Sequence, residues 1–339
     1  MEQVIVSFPG LGIEELTLNK IAFSLFGGKI EVRYYGIIIT LGIILAVAYC
    51  MYRSRECGMV PDNVLDMAIY TVIFGVIGAR LYYVLMTIGE YHSFLDVIAI
   101  WNGGLAIYGG VIGGGLAIYI YCRIKKFDYR QAFDMVAPSV MIGQILGRWG
   151  NFFNGEAYGY EVVEGHPLYF LRMGLIPNIN SSTKMYYFHP TFLYESVWNL
   201  IGFLVINALF KKRKFNGQVF CMYIAWYGFG RMFIEGLRTD SLYLGVFRVS
   251  QVVGFLCFAV GTVLLILGLR KAHIAKAAEG AYTSCYAACH GVRDINGEVK
   301  EEAKKENTAD AVDKEKPQTA EADVARSDAV EETQDDDKN

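Results

Sequence analysis

Between about residues 35 and 269 the chain is a succession of long apolar stretches separated by more polar connections. A helix needs roughly 20 apolar residues to cross about 30 Å of hydrocarbon. Seven stretches approach that length, at about 35–52, 65–86, 104–122, 132–153, 192–210, 218–235 and 249–269. The pattern predicts an all-α polytopic membrane protein with seven transmembrane helices. Gly109, Gly110, Gly113, Gly114 and Gly115 in the third stretch do not disqualify it, because small residues let helices pack closely in lipid.

The connections set the orientation. Arg53 and Arg55, then Arg123, Lys125, Lys126 and Arg130, then Lys211, Lys212, Arg213 and Lys214, and finally Arg270 and Lys271 follow the first, third, fifth and seventh stretches. All four groups fall on one side, which the positive-inside rule makes cytoplasmic. The connection at roughly 87–103 has no Lys or Arg, and 154–191 has only Arg172 and Lys184, so both are expected outside. The expected organisation is an external N-terminal segment, 1–34, and a membrane domain, 35–270. The domain includes an external loop, 154–191, long enough to hold a small folded element or a flap over the bundle. A cytoplasmic tail follows at 271–339. The start, MEQVIVSFPG, has an acidic residue and no basic run, unlike a cleavable secretion signal.

Composition sharpens this picture at one point. The formal charge of −3 averages two unlike parts, since residues 291–339 hold sixteen Asp or Glu against eight Lys or Arg. Such a tail, nearly free of aromatic residues, is expected to be solvated and disordered. Cys285, Cys289 and His290 have no standard zinc spacing and no second ligand pair, so no metal is expected.

Several polar residues break the apolar pattern at what the topology makes the outer ends of different helices. They are Tyr34, Tyr35 and Tyr108; Arg148, Asn151, Asn154 and Glu156; His189 and Glu195; and Arg231, Glu235 and Arg238. Arg148 and Asn151 are i,i+3, Asn154 lies three further on, and Arg231 and Glu235 are i,i+4, so two helices each present a polar face. Ionisable groups at membrane depth are costly and by default face a functional interior. The plainer alternative is that Arg231 and Glu235 only join helices while Arg148 snorkels to the interface. Arg80 either faces the same cavity or satisfies helix-end carbonyls. Asp66 and Asp134, near inner ends, are expected to be interfacial or structural.

Arginines match phosphate oxygens as fixed, always-charged donors, and a phosphate met at the outer membrane level is most economically a phospholipid headgroup. Glu156, Glu195 and Glu235 can each orient an arginine or take a proton. The chain has no G-x-S-x-G, H-E-x-x-H or Walker A pattern, which leaves serine hydrolases, zinc proteases and nucleotide-driven enzymes unsupported. A transporter of anionic lipid or solute is the competing class, although no duplicated half or paired broken helices are visible. A structural scaffold would explain the glycines but not the converging charges.

The stretch GRWGNFFNGEAYG, Gly147 to Gly159, together with RYYG at 33–36, GGLAIYGG at 103–110, HPTFLYE at 189–195 and GRMFIEGLR at 230–238, resembles the prolipoprotein diacylglyceryl transferase family. The resemblance covers about residues 1–270. It implies seven transmembrane helices in the bacterial cytoplasmic membrane, with an external N-terminus and a site near the extracytoplasmic face. It also implies transfer of the diacylglyceryl group of phosphatidylglycerol to the lipobox cysteine of a prolipoprotein signal peptide, with release of glycerol 1-phosphate. No cofactor, metal or nucleic acid enters, and the remaining partners are bilayer lipids.

Carried onto this chain, the resemblance makes Arg148, Asn151, Glu156, Arg231, Glu235, Tyr35 and Tyr108 the expected catalytic set. Arg148, Asn151, Asn154, Gly159, His189, Arg231 and Arg238 are the expected phosphatidylglycerol-binding set. Family members often carry a histidine where this chain has Tyr108. A tyrosine, with a pKa near 10, is a poor resting base, so the histidine's role is not transferred, and the thiol base stays open among Glu235, Glu156 and Tyr108.

Overall fold

The computed structural model describes residues 3–28, 30–91, 93–176, 184–239 and 241–279. The chain divides into two units, Met1–His290 and Gly291–Asn339. The acidic tail beyond residue 279, with Cys285, Cys289 and His290, lies outside the described residues.

Each predicted apolar stretch forms a helix. The helices are α1 (Tyr34–Ser54), α2 (Pro61–Met86), a short α3 (Phe94–Ile98), α4 (Ile107–Ile124), α5 (Tyr129–Asn154), α6 (Thr191–Leu209), α7 (Gln218–Ile234) and α8 (Val249–Glu279). Five segments are long and apolar enough to cross a membrane: Tyr34–Cys57, Pro61–Met86, Ile107–Ile124, Thr191–Lys212 and Val249–Ile274. The two long helices outside that set are informative. α7 has 17 residues, and α5 carries Asp134, Gln144, Arg148, Asn151 and Asn154. α5 packs against α1, α4, α6 and α7, so its polar groups are shielded by neighbouring helices.

Glycine seams bring the outer helices together. A Cβ on Gly109 of α4 would stand 2.2 Å from the Gly78 carbonyl oxygen of α2, and one on Gly228 of α7 would stand 2.5 Å from the Gly254 carbonyl oxygen of α8. Backbone contact this close needs residues without side chains, as in lipid-embedded helix pairs.

One end of the bundle is tied by buried charge. Asp134, fully buried, accepts the Gly217 and Phe220 backbone N–H groups through its two oxygens at 2.8 and 2.9 Å, and so caps the start of α7. Arg213, also fully buried, donates to the Glu56 carbonyl at 2.6 Å, and Arg53 pairs with Glu56 at 2.7 Å. Asp134 is thus structural, as expected. Arg53 and Arg213, counted above as ordinary inner-surface cations, are instead bolts between helix ends. Arg80 takes the second of its two readings: it donates to the carbonyls of Asp96, Val97, Gly103 and Gly104 at 2.6–3.0 Å, closing the α2–α4 connection.

The expectation of an all-α chain needs correction. β1 (Gln3–Phe8), β2 (Ile13–Asn19), β5 (Met173–Ile176) and β6 (Tyr186–Phe188) form one antiparallel sheet in the order β2-β1-β5-β6. Two hairpins, β3 (Ile21–Leu25) with β4 (Ile30–Arg33) and β7 (Tyr243–Leu244) with β8 (Phe247–Arg248), flank α1 and α8. The sheet joins the N-terminal segment to the folded element anticipated in 154–191. β1 turns Val4, Val6 and Phe8 onto Leu175, Phe152 and Phe192, which seats the sheet on the ends of α5 and α6. The β1–β2 and β5–β6 pairings are local, but β1 meets β5 only across the long separation from Ile5 to Ile176, so local periodicity carries little trace of the complete sheet.

The glycine seam generates a direct test. Gly109→Val forces backbone against backbone and is expected to destabilise by about 3 kcal/mol, seen as a lowered thermal midpoint of the solubilised protein. Gly115→Val, with nothing within 4 Å of its added carbon, is expected to stay within about 0.5 kcal/mol.

Candidate active site

The end of α5 builds most of the site from its own sequence. Arg148, Asn151 and Asn154 follow one another at helical spacing, and Gly155 then adopts a left-handed conformation (φ 64°) that ends the helix and reverses the chain. The reversal aims Glu156 back at the last turn, where one of its oxygens accepts Asn151 Nδ2 at 2.9 Å and Asn154 Nδ2 at 3.1 Å. Asn151 Oδ1 in turn accepts Arg148 Nη1 at 3.2 Å. The motif is therefore a chain of polar contacts, arginine to amide to carboxylate, closed within nine residues. Gly150 belongs to it for a different reason: a Cβ there would come within 2.9 Å of the Tyr35 ring. Tyr35 thus sits on the last turns of α5, within electrostatic reach of Glu156 and Arg148.

Across the helices the centre is Glu195. It is 2% exposed and is the sole carboxylate of α6, TFLYESVWNLIGFLVINAL. Its Oε1 lies 2.8 Å from Arg148 Nη2, and its Oε2 accepts Arg231 Nη1 of α7 at 2.9 Å. Arg231 Nη2 also lies 2.7 Å from Glu235 Oε2. Glu195 Oε1 and Glu235 Oε2 make these charge contacts off the N–H axis, so neither accepts an aligned hydrogen bond among the described residues. Four charges are thus gathered from α5, α6 and α7, and their formal sum is zero. Removing one member of such a buried set typically costs 3–5 kcal/mol, because it leaves its partner charged and unpaired.

The structure brings Arg148, Asn151, Asn154, Glu156, Tyr35, Arg231 and Glu235 together. Tyr108 is nearby but differently engaged: its hydroxyl is 3.1 Å from Ser250 Oγ, within electrostatic reach of Arg231 and without a hydrogen bond to the cluster among the described residues. His189 and Gly159 form a supporting belt. Gly159 donates its N–H to the His189 carbonyl and bridges to Arg238, and a Cβ on it would strike both His189 and the Leu237 carbonyl at 2.8 Å. This clips the loop after α5 to the end of α7, three residues past Glu235. His189 is buried, with Nδ1 3.2 Å from the Tyr194 hydroxyl. Burial and the adjacent His166 hold its pKa below the ordinary value, so its imidazole is neutral at pH 7.

Two features escaped the sequence. Glu195 was one of three glutamates with interchangeable roles, and its isolation inside an apolar helix was the signal that could have ranked it first. Arg248 was not singled out at all. Its guanidinium donates to the Glu235 carbonyl, to the Arg238 carbonyl at 3.1 Å and to the Tyr160 hydroxyl at 2.6 Å, so it fixes the backbone on which Glu235 and Arg238 stand.

Residues 20–267 match the prolipoprotein diacylglyceryl transferase family. Among curated proteins, the phosphatidylglycerol–prolipoprotein diacylglyceryl transferase 1 of Clostridium perfringens (strain 13 / Type A) is 44% identical over 256 residues, 74% of this chain and 94% of that protein. The phosphatidylglycerol–prolipoprotein diacylglyceryl transferase of Clostridium kluyveri (strain ATCC 8527) is 42% identical over 254 residues, 74% of this chain and 94% of that protein. The protein of that name from Streptococcus pneumoniae serotype 4 is 43% identical over 261 residues, 75% and 95% of the two chains. With the match spanning most of the helical unit, the chain belongs to the prolipoprotein diacylglyceryl transferase family.

Proposed function

We propose that the chain transfers the diacylglyceryl group of phosphatidylglycerol to the lipobox cysteine of a prolipoprotein, and that the Arg148–Glu195–Arg231 cluster is its reaction centre. The observation that carries the reading is the pair of guanidiniums, from helices far apart in sequence, held on the two oxygens of one buried carboxylate. Each guanidinium has five N–H donors in a fixed fork, so this clamp leaves further donors to converge on one anion.

The reaction explains why such donors are useful. The cysteine sulfur attacks C3 of the glycerol, the S–C3 bond forms and the C3–O bond breaks with its electron pair leaving on the phosphate oxygen. The phosphodiester becomes a monoester, so negative charge grows on the departing glycerol phosphate. Fixed donors around that oxygen stabilise the transition state more than the bound lipid. Arg148 and Arg231 meet the phosphate, and Arg238, beside them on the backbone held by Arg248, reads the outer headgroup. Glu195 and Glu235 are committed to arginines. Glu156 is exposed, held by two amides, and makes no arginine pair among the described residues. It is the carboxylate placed to take the thiol proton.

In this reading all seven long helices span the bacterial cytoplasmic membrane, with the N-terminus outside and the tail inside. The polar cluster stands at the C-terminal ends of α5 and α7 and the N-terminal end of α6. Asp134 and the basic connections stand at the opposite end, roughly 20 Å away along α5 at 1.5 Å per residue. That separation from the basic connections supports a cluster near the extracytoplasmic face, where the phospholipid headgroup and the lipobox cysteine would meet.

Purified protein supplied with phosphatidylglycerol and a lipobox peptide is expected to add a diacylglyceryl mass to the peptide. Arg148→Ala and Arg231→Ala, with thermal midpoints checked, are each expected to lower kcat by about a hundredfold, some 3 kcal/mol; unchanged rates would remove the clamp. Glu156→Gln is expected to lower kcat at pH 7 by about a hundredfold. The deficit should narrow as pH rises through about 8.5, where the thiol ionises unaided, and a pH-independent deficit would rule Glu156 out as base. An impermeant thiol reagent on intact cells is expected to label Glu164→Cys and spare Lys125→Cys; the reverse pattern would invert the topology.

A further inference from the structure

One turn deeper than the arginine cluster, a second polar layer is buried between the same helices and has no role in the reaction as described. α5 and α6 run antiparallel in fixed register. Arg148 meets Glu195, the Ile145 carbonyl accepts Ser196 Oγ at 3.4 Å, and a Cβ on Gly202 would stand 2.6 Å from Met141 Cε. These contacts bracket Gln144 and Asn199, which therefore share one level. Asn199 is fully buried, and neither its Nδ2 nor its Oδ1 has a hydrogen-bond partner among the described residues. Gln144 spends its Nε2 on the Tyr223 hydroxyl of α7 at 3.0 Å, while its buried Oε1 is unpartnered among the described residues. Glu195 Oε1, directly above, accepts no aligned hydrogen bond there either.

Three unpartnered polar atoms at one level of α5 and α6, with Glu195 Oε1 one turn above them, are not accidental by the energetics of burial. Each unsatisfied donor or acceptor costs about 1–3 kcal/mol, and apolar residues would fill the space at no such cost. Glu195 and Asn199 are i,i+4 on one helix face, with Cβ atoms about 5–6 Å apart. Two hydrogen bonds of about 2.8 Å through one oxygen span that gap. The site is polar and offers the two to four partners that an internal water requires.

We propose that Asn199 and Gln144 hold an internal water beneath Glu195, and that through it Asn199 is a positioning residue for the carboxylate that carries both arginines. The water accepts from Asn199 Nδ2 and donates to Glu195 Oε1 and Gln144 Oε1. It thereby fixes the rotation of the Glu195 carboxylate, and with it the spacing of Arg148 and Arg231. This rests on the cluster being the reaction centre proposed above.

The test uses full-length protein with phosphatidylglycerol and a lipobox peptide. Asn199→Leu, which replaces the amide with an apolar side chain of similar volume, is expected to lower kcat by about tenfold. The KM for phosphatidylglycerol should stay within about twofold, and the thermal midpoint should not fall. Asn199→Ser, which keeps a hydroxyl for the water, is expected to recover most of the loss. Gln144→Leu, measured in the same way, gives a second reading if Asn199→Leu does not fold. Wild-type kcat in the leucine variants, or a loss that serine does not recover, overturns the proposal. So does a density map that resolves ordered water elsewhere but none between Asn199 and Glu195. Arg148→Ala run in parallel separates the two ideas: if it is inactive while Asn199→Leu is unimpaired, only this inference fails, and if it is active, the reaction centre itself has been misplaced.

Discussion

A carboxylate sealed between helices must be paired, and the pairing of Glu195 determines how much of the bundle has to be arranged. With both oxygens against guanidiniums, α5, α6 and α7 cannot slide or rotate relative to one another without exposing a charge in a low-dielectric interior. Such separation costs several kcal/mol per ion. The same constraint keeps α5 at the centre, because a helix with that many polar groups is tolerable among apolar helices only when those helices cover it. The glycine seams at α2–α4 and α7–α8 let the covering helices approach closely.

The opposite end of the bundle uses the same device for a different purpose. Asp134, Arg213, Arg53 and Glu56 are buried and joined to backbone groups or to each other, and their hydrogen-bonding capacity is largely spent on helix termini. In the Arg148–Glu195–Arg231 cluster the arginines are held by carboxylates instead, and two carboxylate oxygens lack aligned donors. Water bound in the layer below would hold the Glu195 carboxylate without consuming the remaining guanidinium donors.

Much of this was legible before any coordinates. Helix positions followed from apolar length, and the GRWGNFFNGEAYG motif marked the residues that now form the Arg148–Asn151–Glu156–Asn154 chain, since all of them lie within one helix end and its turn. Arg231 and Glu235 were legible as an i,i+4 pair for the same reason. Arg80 was ambiguous because a carbonyl-capping arginine and a cavity-facing one read alike in sequence. Glu195 was undervalued and Arg248 missed because their importance comes from what lies opposite them. The sheet was missed because β1 meets β5 only after five helices have been placed.

The amino-acid sequence by itself determined the number and position of the long helices, the family and the local polar motif. Each of these depends on hydrophobic length or on contacts between residues a few positions apart, and such contacts are dictated by helix geometry. Only the tertiary structure decided that one glutamate joins two arginines, that Tyr108 turns to Ser250, and that the N-terminal segment becomes a sheet edge over the helix ends. These outcomes depend on the register and rotation of whole helices against each other, which are set by the sum of packing and buried-charge energies across the bundle.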